Sequence, residues 1–446
     1  MHAIALLMEH AGSPRVLLVY ADRVGASMGG VGIRAVELAR VLTEALGARV
    51  TIAAAEHDGG DVGVPVTTFA PHAPRALAPH LATADAVVAQ PAWPLTMRRL
   101  AGSGARLVFD LYDPEAFGTL EHFAGRDPRL RGLMGRFAVD RLTAALRLAD
   151  HVMCANERQR DLWLGALLAS GLVSPARYDA DPTLRSLLDV VAYGVPAQPP
   201  APSAGPAPRA ALGLAPDDEV VLWNGGVWSW LDAPTAVRAI ARLRARRPRA
   251  RLVFMGASSA PPAVRAGQAA RALAAELGVL GEGVVFHDGW VPYAERAAWL
   301  LDADCAISTH VEHLETRFSS RTRLLDCFWA GLPVVCTRGD ELAARVEREQ
   351  LGATVPPGDD EAVAAALERV LDRGRTAYAD RLAATARELT WPRVAAPLVD
   401  WLRAPAPPPR GGSGRRALDE RARTGAYVAA AGTLAALRVR PPALRR

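Results

Sequence analysis

Lysine is missing from this chain. All 52 of its Lys/Arg positions, among 446 residues, are arginine. That absence excludes a P-loop lysine, a Schiff-base lysine and a lysine general base. Any phosphate held here falls to arginine, to backbone N–H groups or to a helix N-terminus.

Cysteine is scarce as well. Cys154, Cys305, Cys327 and Cys336 have neither zinc-like nor Cys-x-x-Cys spacing, so buried thiols in a reducing compartment are expected rather than a disulfide framework. No apolar run approaches the ~20 residues that span a bilayer. The apolar start Met1–Met8 has no basic region before it and no clear cleavage site after it, so no signal peptide is read and the expected location is cytoplasmic. Gly-x-Gly-x-x-Gly is absent after the first apolar run, which disfavours a nicotinamide cofactor.

Charge is unevenly placed. Nine arginines face only Asp419 and Glu420 after Pro409, so the rest of a chain with net charge +5 is slightly acidic. That pattern does not describe a nucleic-acid surface. The tail also carries a small-residue apolar stretch, Ala426–Leu437, between arginines. A disordered tail and a surface helix touching anionic lipid are both open readings.

Half of the chain is apolar, enough for two cores. Arg15–Tyr20, Val31–Leu46 and Arg49–Ala54 read as strand, helix and strand. Further strand-like runs are Val66–Phe69, Ala86–Gln90, Leu107–Leu111, His151–Ala155 and Asp189–Tyr193, with helical spacing between most of them. Asn156 and Gln159 form a capping-box start, and Gly171 a stop. Alternation of this kind implies a parallel sheet covered on both faces.

A Pro/Ala-rich stretch, 197–216, then reads as a semi-rigid linker. Alternation resumes with Glu219–Trp223, Arg251–Met255, Gly283–Phe286, Cys305–Ser308 and Pro333–Cys336. The organisation expected is a first domain over 1–196, a second over 217–390, a helix over 391–403 packing back toward the first domain, and a basic tail over 404–446. Ala149-Asp150-His151 and Ala303-Asp304-Cys305, each before an apolar run, hint that the halves share one architecture.

Four segments can carry chemistry. Gly29-Gly30-Val31-Gly32 offers close backbone approach and a helix N-terminus to an anion, or is a plain tight turn. Asp110 and Asp113, just past an apolar run, either meet a ligand at a strand's carboxyl end or cap a turn before Pro114. Asn224-Gly225-Gly226 leads into Trp228 and Trp230, which either stack on a ligand or close a domain interface. Lastly, 310–335 gathers His310, Glu312, His313, Glu315, Arg317, Arg321, Arg323 and Asp326 ahead of Gly331-Leu332-Pro333-Val334-Val335. One helix from about Ser319 to Ala330 would set Arg321 and Arg323 at its positive end, suited to phosphate. A solvated charged face and a metal cluster are the alternatives; His-Glu-x-x-His is absent and no metal is expected.

With these residues in view, the chain resembles the retaining glycosyltransferases of the GT-B fold, family 4-like, over roughly 15–400. Their second domain carries Glu, seven residues, Glu, then Ala-x-x-x-Gly-x-Pro-Val-Val. Asp326 stands in the second Glu's place, five residues before Gly331. The resemblance implies two Rossmann-like, doubly wound α/β domains facing each other across a cleft, with Asp326 on the nucleotide ribose. Gly29, Gly30, Gly225 and Gly226 would approach the donor phosphates. Two departures stand out. Phe318 occupies the first Glu's position, so Glu315 is the candidate for the donor sugar hydroxyls. Where the family has Arg and Lys after the second glycine loop, this chain has Trp228, Trp230 and Asp232, so Arg317, Arg321 and Arg323 are expected to take the phosphate. The run Glu315–Ser319 also resembles a subgroup found in bacterial polysaccharide gene sets.

What the resemblance implies is a retaining transfer from a nucleotide-diphosphate sugar, with Glu315, Arg321 and Asp113 as the catalytic candidates and Asp110 and Asp113 on the acceptor. The acceptor would be a saccharide, a lipid-linked or a small molecule, with the tail as a peripheral contact to the membrane's inner face. Nucleic acid is not an expected partner, and no cofactor is expected. A non-catalytic carbohydrate or nucleotide-sugar binder and a nucleotide-sugar epimerase stay open, while the missing lysine removes a pyridoxal-type phosphorylase.

Overall fold

The structure, a computed structural model, describes residues 13–202, 207–228, 230–256 and 261–405. The basic tail beyond 405, the Met1–Met8 run and the apolar stretch at 426–437 lie outside the described residues. Two compact units are present: the first comprises residues up to Tyr193 together with Trp391 onward, the second Gly194–Thr390.

The first unit is built on β1 (Arg15–Val24), β2 (Arg49–His57), β3 (Val66–Thr68), β4 (Ala86–Ala89), β5 (Arg106–Asp110), β6 (His151–Cys154) and β7 (Leu188–Val190), all parallel, in spatial order β3-β2-β1-β4-β5-β6-β7. The order reverses between β1 and β4. At such a switch point the crossover helices leave in opposite directions and a crevice opens at the strands' carboxyl ends. Helices α1 (Gly30–Leu46), α2 (Glu115–His122), α3 (Pro128–Leu148) and α4 (Glu157–Ala169) cover the sheet or line its carboxyl end. Every residue of β4 and β6 is buried, as expected for strands covered on both faces. β1 runs past its apolar stretch to Val24, because Arg23 and Val24 still pair with β2 beyond a register shift.

The second unit repeats the plan. Its strands are β8 (Glu219–Trp223), β9 (Ala250–Phe254), β10 (Val284–Phe286), β11 (Cys305–Ser308), β12 (Val334–Thr337) and β13 (Gly352–Val355), in order β10-β9-β8-β11-β12-β13 and again parallel. Its switch point lies between β8 and β11. All four cysteines are free and buried.

A short clasp recurs where strands begin. Asp85, just before β4, donates its backbone N–H to Arg15 O (2.9 Å), and its carboxylate accepts from Arg15 N (2.7 Å). Asp304, before β11, does the same to Val220 at 3.0 and 2.7 Å. Asp150, before β6, does so to Leu107 at 2.8 and 2.9 Å. The Ala-Asp signal is therefore structural, but the pairing of Asp150 with Asp304 read from sequence joined non-equivalent strands. By topology the partner of Asp304 is Asp85, since β4 and β11 both sit beside the first strand of their sheets.

Composition was misleading in one place. Within the Pro/Ala-rich stretch, Pro208–Ala211 is a helical turn, and Arg209 donates to Asp304 (3.1 Å) and to Asp302 O (2.8 Å). The second half of that stretch belongs to the second unit. Residues 391–405 belong to the first: the Arg106 guanidinium lies 3.8 Å over the Trp401 ring and donates to Trp401 O (2.7 Å) and Leu402 O (3.1 Å). Trp391 is buried against Tyr193 at 4.8 Å.

Beneath the first switch point lies a buried ion pair. Arg34, fully inaccessible on α1, meets Asp110 at the end of β5 through Nε–Oδ2 (2.6 Å) and Nη2–Oδ1 (3.0 Å). Its remaining N–H groups reach Val191 O (2.8 Å) and Ala192 O (3.0 Å) past β7, and Tyr20 of β1 donates to Asp110 Oδ2 (2.7 Å). One guanidinium thus ties the ends of β5 and β7 together, and Asp110 links the pair to β1. Neutralising one side of such a pair leaves a buried charge and costs about 3–5 kcal/mol. Asp110→Asn is expected to lower the stability of the first unit by roughly that amount in urea unfolding; a loss below about 1 kcal/mol, the scale of an exposed pair, would refute this role.

Candidate functional site

The loops at each switch point gather the polar residues singled out from sequence, and the two sites differ in character. In the second unit, β8 ends at Trp223 and the chain turns through Asn224, Gly225 and Gly226. Gly225 holds a φ of 122°, a conformation that L side chains rarely adopt. The Arg323 side chain lies directly below: a Cβ on Gly225 would sit 3.6 Å from Arg323 Nη2, which donates to Gly226 O at 3.2 Å. Asn224 Nδ2 closes the arrangement by donating to Arg323 O at 2.8 Å. Arg323 Nη1 has no protein partner among the described residues. Burial, followed by the adjoining Arg321 charge, lowers this guanidinium to about 10, so it stays cationic at neutral pH.

The segment after β11 differs from the single helix expected. It forms α5 (Leu314–Phe318), a break at Ser319–Arg321, and α6 (Thr322–Trp329). His313 starts α5 by accepting Thr316 N on Nδ1 (3.2 Å), and Glu315 approaches that nitrogen at 3.5 Å. Arg317 is exposed, over the Phe318 ring. The break exists because Arg321 turns inward. It is 4 % exposed, ion-paired with Asp340, and donates to Ser308 O and Thr337 Oγ1 at 3.3 Å each. Asp340 Oδ1 in turn caps the next helix through Ala343 N (2.9 Å). The expectation that Arg321 presents its guanidinium to phosphate therefore meets a guanidinium engaged on strand ends and a buried carboxylate. Its partner Asp340, just past β12, lies near the place where Asp110 ends β5, but Arg321 follows β11 whereas Arg34 follows β1.

His310, next to these arginines, is buried, and neither ring nitrogen has a partner among the described residues. Burial first, then the Arg321, Arg323 and His313 charges, hold it well below its ordinary range, so the ring is neutral. Asp326, mid-way along α6, is partly exposed and accepts from Arg296 Nε at 3.0 Å. That guanidinium is sandwiched between Tyr293 (3.5 Å) and Trp329 (4.6 Å). Trp228 and Trp230 stack on each other at 4.9 Å, and Asp232 caps the following helix through Thr235 N (3.1 Å). The family's basic positions are thus filled here by an aromatic pair and a cap.

In the first unit, Gly29 precedes α1 with open space where a Cβ would stand, and Gly30 opens the helix, where a Cβ would touch the Tyr112 and Tyr193 hydroxyls at 4.0 Å. Gly32 is different: a Cβ there would lie 2.3 Å from Arg23 O, so it serves helix-on-strand packing. Asp110, expected on the acceptor, is 1 % exposed and engaged by Arg34, Tyr20 and Tyr112 N (3.3 Å). It faces the protein interior, which corrects the expectation that its carboxylate meets an acceptor. Asp113 lines a cavity of about 210 Å³ between the carboxyl ends of β1 and β4, with Gln90, Trp93, Glu115, Arg141 and Trp163. Asp113 is itself exposed; crowding around its carboxyl, then the Asp110 charge, raises it to about 6. Arg141 is ion-paired with Glu115. Arg34, Arg141 and Arg296 were not singled out from sequence, although Arg34, with Glu37 one turn on, is a charge on the otherwise apolar buried face of α1 and so carried a signal.

With this geometry in place, the comparisons with known proteins have a location to act on. Residues 218–373 match the family model of glycosyl transferases group 1. Two curated relatives are D-inositol 3-phosphate glycosyltransferases: that of Nocardioides sp. is 32% identical over 235 residues (50% of this chain, 49% of that one), and that of Jonesia denitrificans 29% over 203 residues (43% and 45%). The chain therefore spans just under half the length of each. Among solved structures, Anabaena HepE in complex with UDP-glucose superposes with a TM-score of 0.64 at 16% identity, over 87% of this chain and 99% of that one. WaaG, a glycosyltransferase involved in lipopolysaccharide biosynthesis, gives 0.59 at 17% over 87% and 100%. These likenesses agree with the GT-B fold class expected from sequence.

Removing Arg321 leaves Asp340 buried without its cation, whereas removing Arg323 strips only one bond from a loop. Differential scanning calorimetry is expected to show Arg321→Ala melting the second unit well below Arg323→Ala. Equal melting temperatures would mean that Arg321 is not the structural cation of this unit.

Proposed function

We propose that this chain, whose second unit is a domain of the group 1 glycosyl transferases, moves a sugar from a nucleoside-diphosphate donor to an acceptor hydroxyl with retention at the anomeric carbon. One observation carries the reading. The matched segment 218–373 contains Gly225-Gly226, the arginine with an unpartnered N–H beneath it, and Asp326, all around one switch point.

On this reading the second unit holds the donor. The Gly225-Gly226 loop lets the diphosphate approach the backbone, and Arg323 meets the negative charge that builds on the departing diphosphate. A preorganised cation in a water-poor site is worth most at that point. Arg321 positions Arg323 from below, and Arg317 stands exposed near the start of α6. Glu315 is assigned to the donor sugar hydroxyls and Asp326 to the ribose. The neutral His310 imidazole adds no further positive charge to the two arginines beside it. No metal is invoked, since arginine supplies the countercharge. The first unit holds the acceptor in the cavity lined by Asp113, with Gly29 and Gly30 at the start of α1. Polysaccharide, glycolipid or glycosylated natural-product assembly is the setting that fits, in line with the involvement of the structural neighbour WaaG in lipopolysaccharide biosynthesis. Among the described residues no helix is long and apolar enough to cross a membrane.

Two measurements test this. In a thermal-shift screen of UDP, GDP, ADP and dTDP, one nucleotide series is expected to raise the melting temperature by mass action, with Arg323→Ala weakening that affinity at least tenfold. Acceptor-dependent release of the same diphosphate then separates transfer from mere binding. A folded sample that responds to none of the four removes the donor site proposed here. For pH, the Asp113 carboxylate forms only above about 6. If it accepts the acceptor's hydroxyl proton in a hydrogen bond, kcat/KM climbs between pH 5 and 7, and Asp113→Asn flattens that limb.

A further inference from the structure

We propose that the cavity of the first unit selects an uncharged polyhydroxyl ring, a single sugar or cyclitol without phosphate, as the group that receives the transferred sugar. The inference rests on the acceptor side of the function proposed above and names its substrate class.

Size comes first. A dry cavity of roughly 150 Å³ accommodates benzene, so about 210 Å³ has room for one six-membered ring with its substituents. Wall chemistry comes next. Trp93 lines the cavity, and Phe137 props it at 5.2 Å and 59°. An indole held in that way offers a face to ring C–H groups. Trp163 lies deeper, with an indole N–H that has no partner among the described residues. Gln90, Asp113 and Glu115 complete the polar part. An apolar wall with a few placed hydrogen-bonding groups is how small polar ligands are oriented.

Charge decides the class. The charged side chains lining the cavity are Asp110, Asp113, Glu115 and Arg141. Asp110 is neutralised from behind by Arg34, and Glu115 by Arg141. Asp113 remains as the uncompensated charge. The one lining cation, Arg141, is thus already ion-paired with a carboxylate, while Asp113, left over, repels phosphate. Carboxylates are, however, good acceptors for hydroxyl hydrogen bonds, and a site built on such bonds discriminates strongly among ligands that make or lack them. The acidic acceptor wall is the opposite of the second unit's Arg323 loop, so it disfavours the diphosphate that the loop would hold.

The test is equilibrium binding to the purified full chain, by titration calorimetry, of two matched pairs: glucose with glucose 6-phosphate, and myo-inositol with its 3-phosphate. Each neutral member is expected to bind at least tenfold tighter than its phosphorylated partner. Trp93→Ala should weaken the neutral ligands, and Asp113→Arg should narrow or invert the ratio while leaving the nucleotide-induced thermal shift in place. If a phosphorylated ring binds as tightly as its neutral partner, the proposal is overturned. Failure of all four to bind while a nucleoside diphosphate still shifts the melting temperature also overturns it, and leaves the donor site standing. Absence of the nucleotide shift counts against the donor reading instead. Should Asp113→Arg not fold, Asp113→Asn reads the same charge: it is expected to bring the two members of each pair closer together.

Discussion

A guanidinium buried beneath the strand ends organises each half of this molecule. In the first unit Arg34 joins Asp110, Val191 O and Ala192 O. In the second, Arg321 joins Asp340, Ser308 O and Thr337. Strand carboxyl ends in a parallel sheet all present carbonyl oxygens in one direction, and carbonyls left buried without donors are costly. A planar group with five donors satisfies several at once, which a lysine ammonium does with less geometric definition. The loops that carry the ligand chemistry rest on these two anchors. Their preorganisation depends on charges that never reach a ligand.

That arrangement explains what the sequence showed and what it hid. Strand-like apolar runs revealed twelve of the thirteen strands because both faces of each sheet are covered. β13 escaped notice: Gly352–Val355 is only four residues long and opens on a glycine at φ 156°, where a Cβ would lie 2.0 Å from Val334 O. The glycine loops, Asp113 and Arg323 were visible as polar or small residues at strand exits. Arg321 and Asp110 were equally visible, and their roles were not, since composition cannot tell a charge aimed at solvent from one paired inside. Its partner settles that: Asp340 lies 19 residues away from Arg321, and Asp110 lies 76 from Arg34. The break between α5 and α6 follows from the same cause. Local periodicity favoured one helix, and the inward turn of Arg321 overrode it.

The two switch points share a backbone plan and oppose each other in electrostatics. One exposes glycine backbone over an incompletely paired arginine, the other a carboxylate beside an indole wall. Duplicated topology therefore does not carry duplicated chemistry. Short loops set the sign of each site, while the sheets and the Ala-Asp clasps at their strand entries hold the geometry constant.

The first unit is closed by residues made only after the whole second unit. Trp391 packs on Tyr193, and Trp401 stacks on His151 (5.0 Å) and Arg106. About 200 residues separate Tyr193 from Trp401. At translation speeds of ~5–20 residues per second, the nascent first unit waits roughly 10–40 s with this flank of its sheet uncovered. Throughout that interval the second unit is emerging and folding as an insertion. Synthesis order thus makes the larger part of the first core a holding state, completed only when the chain returns to it.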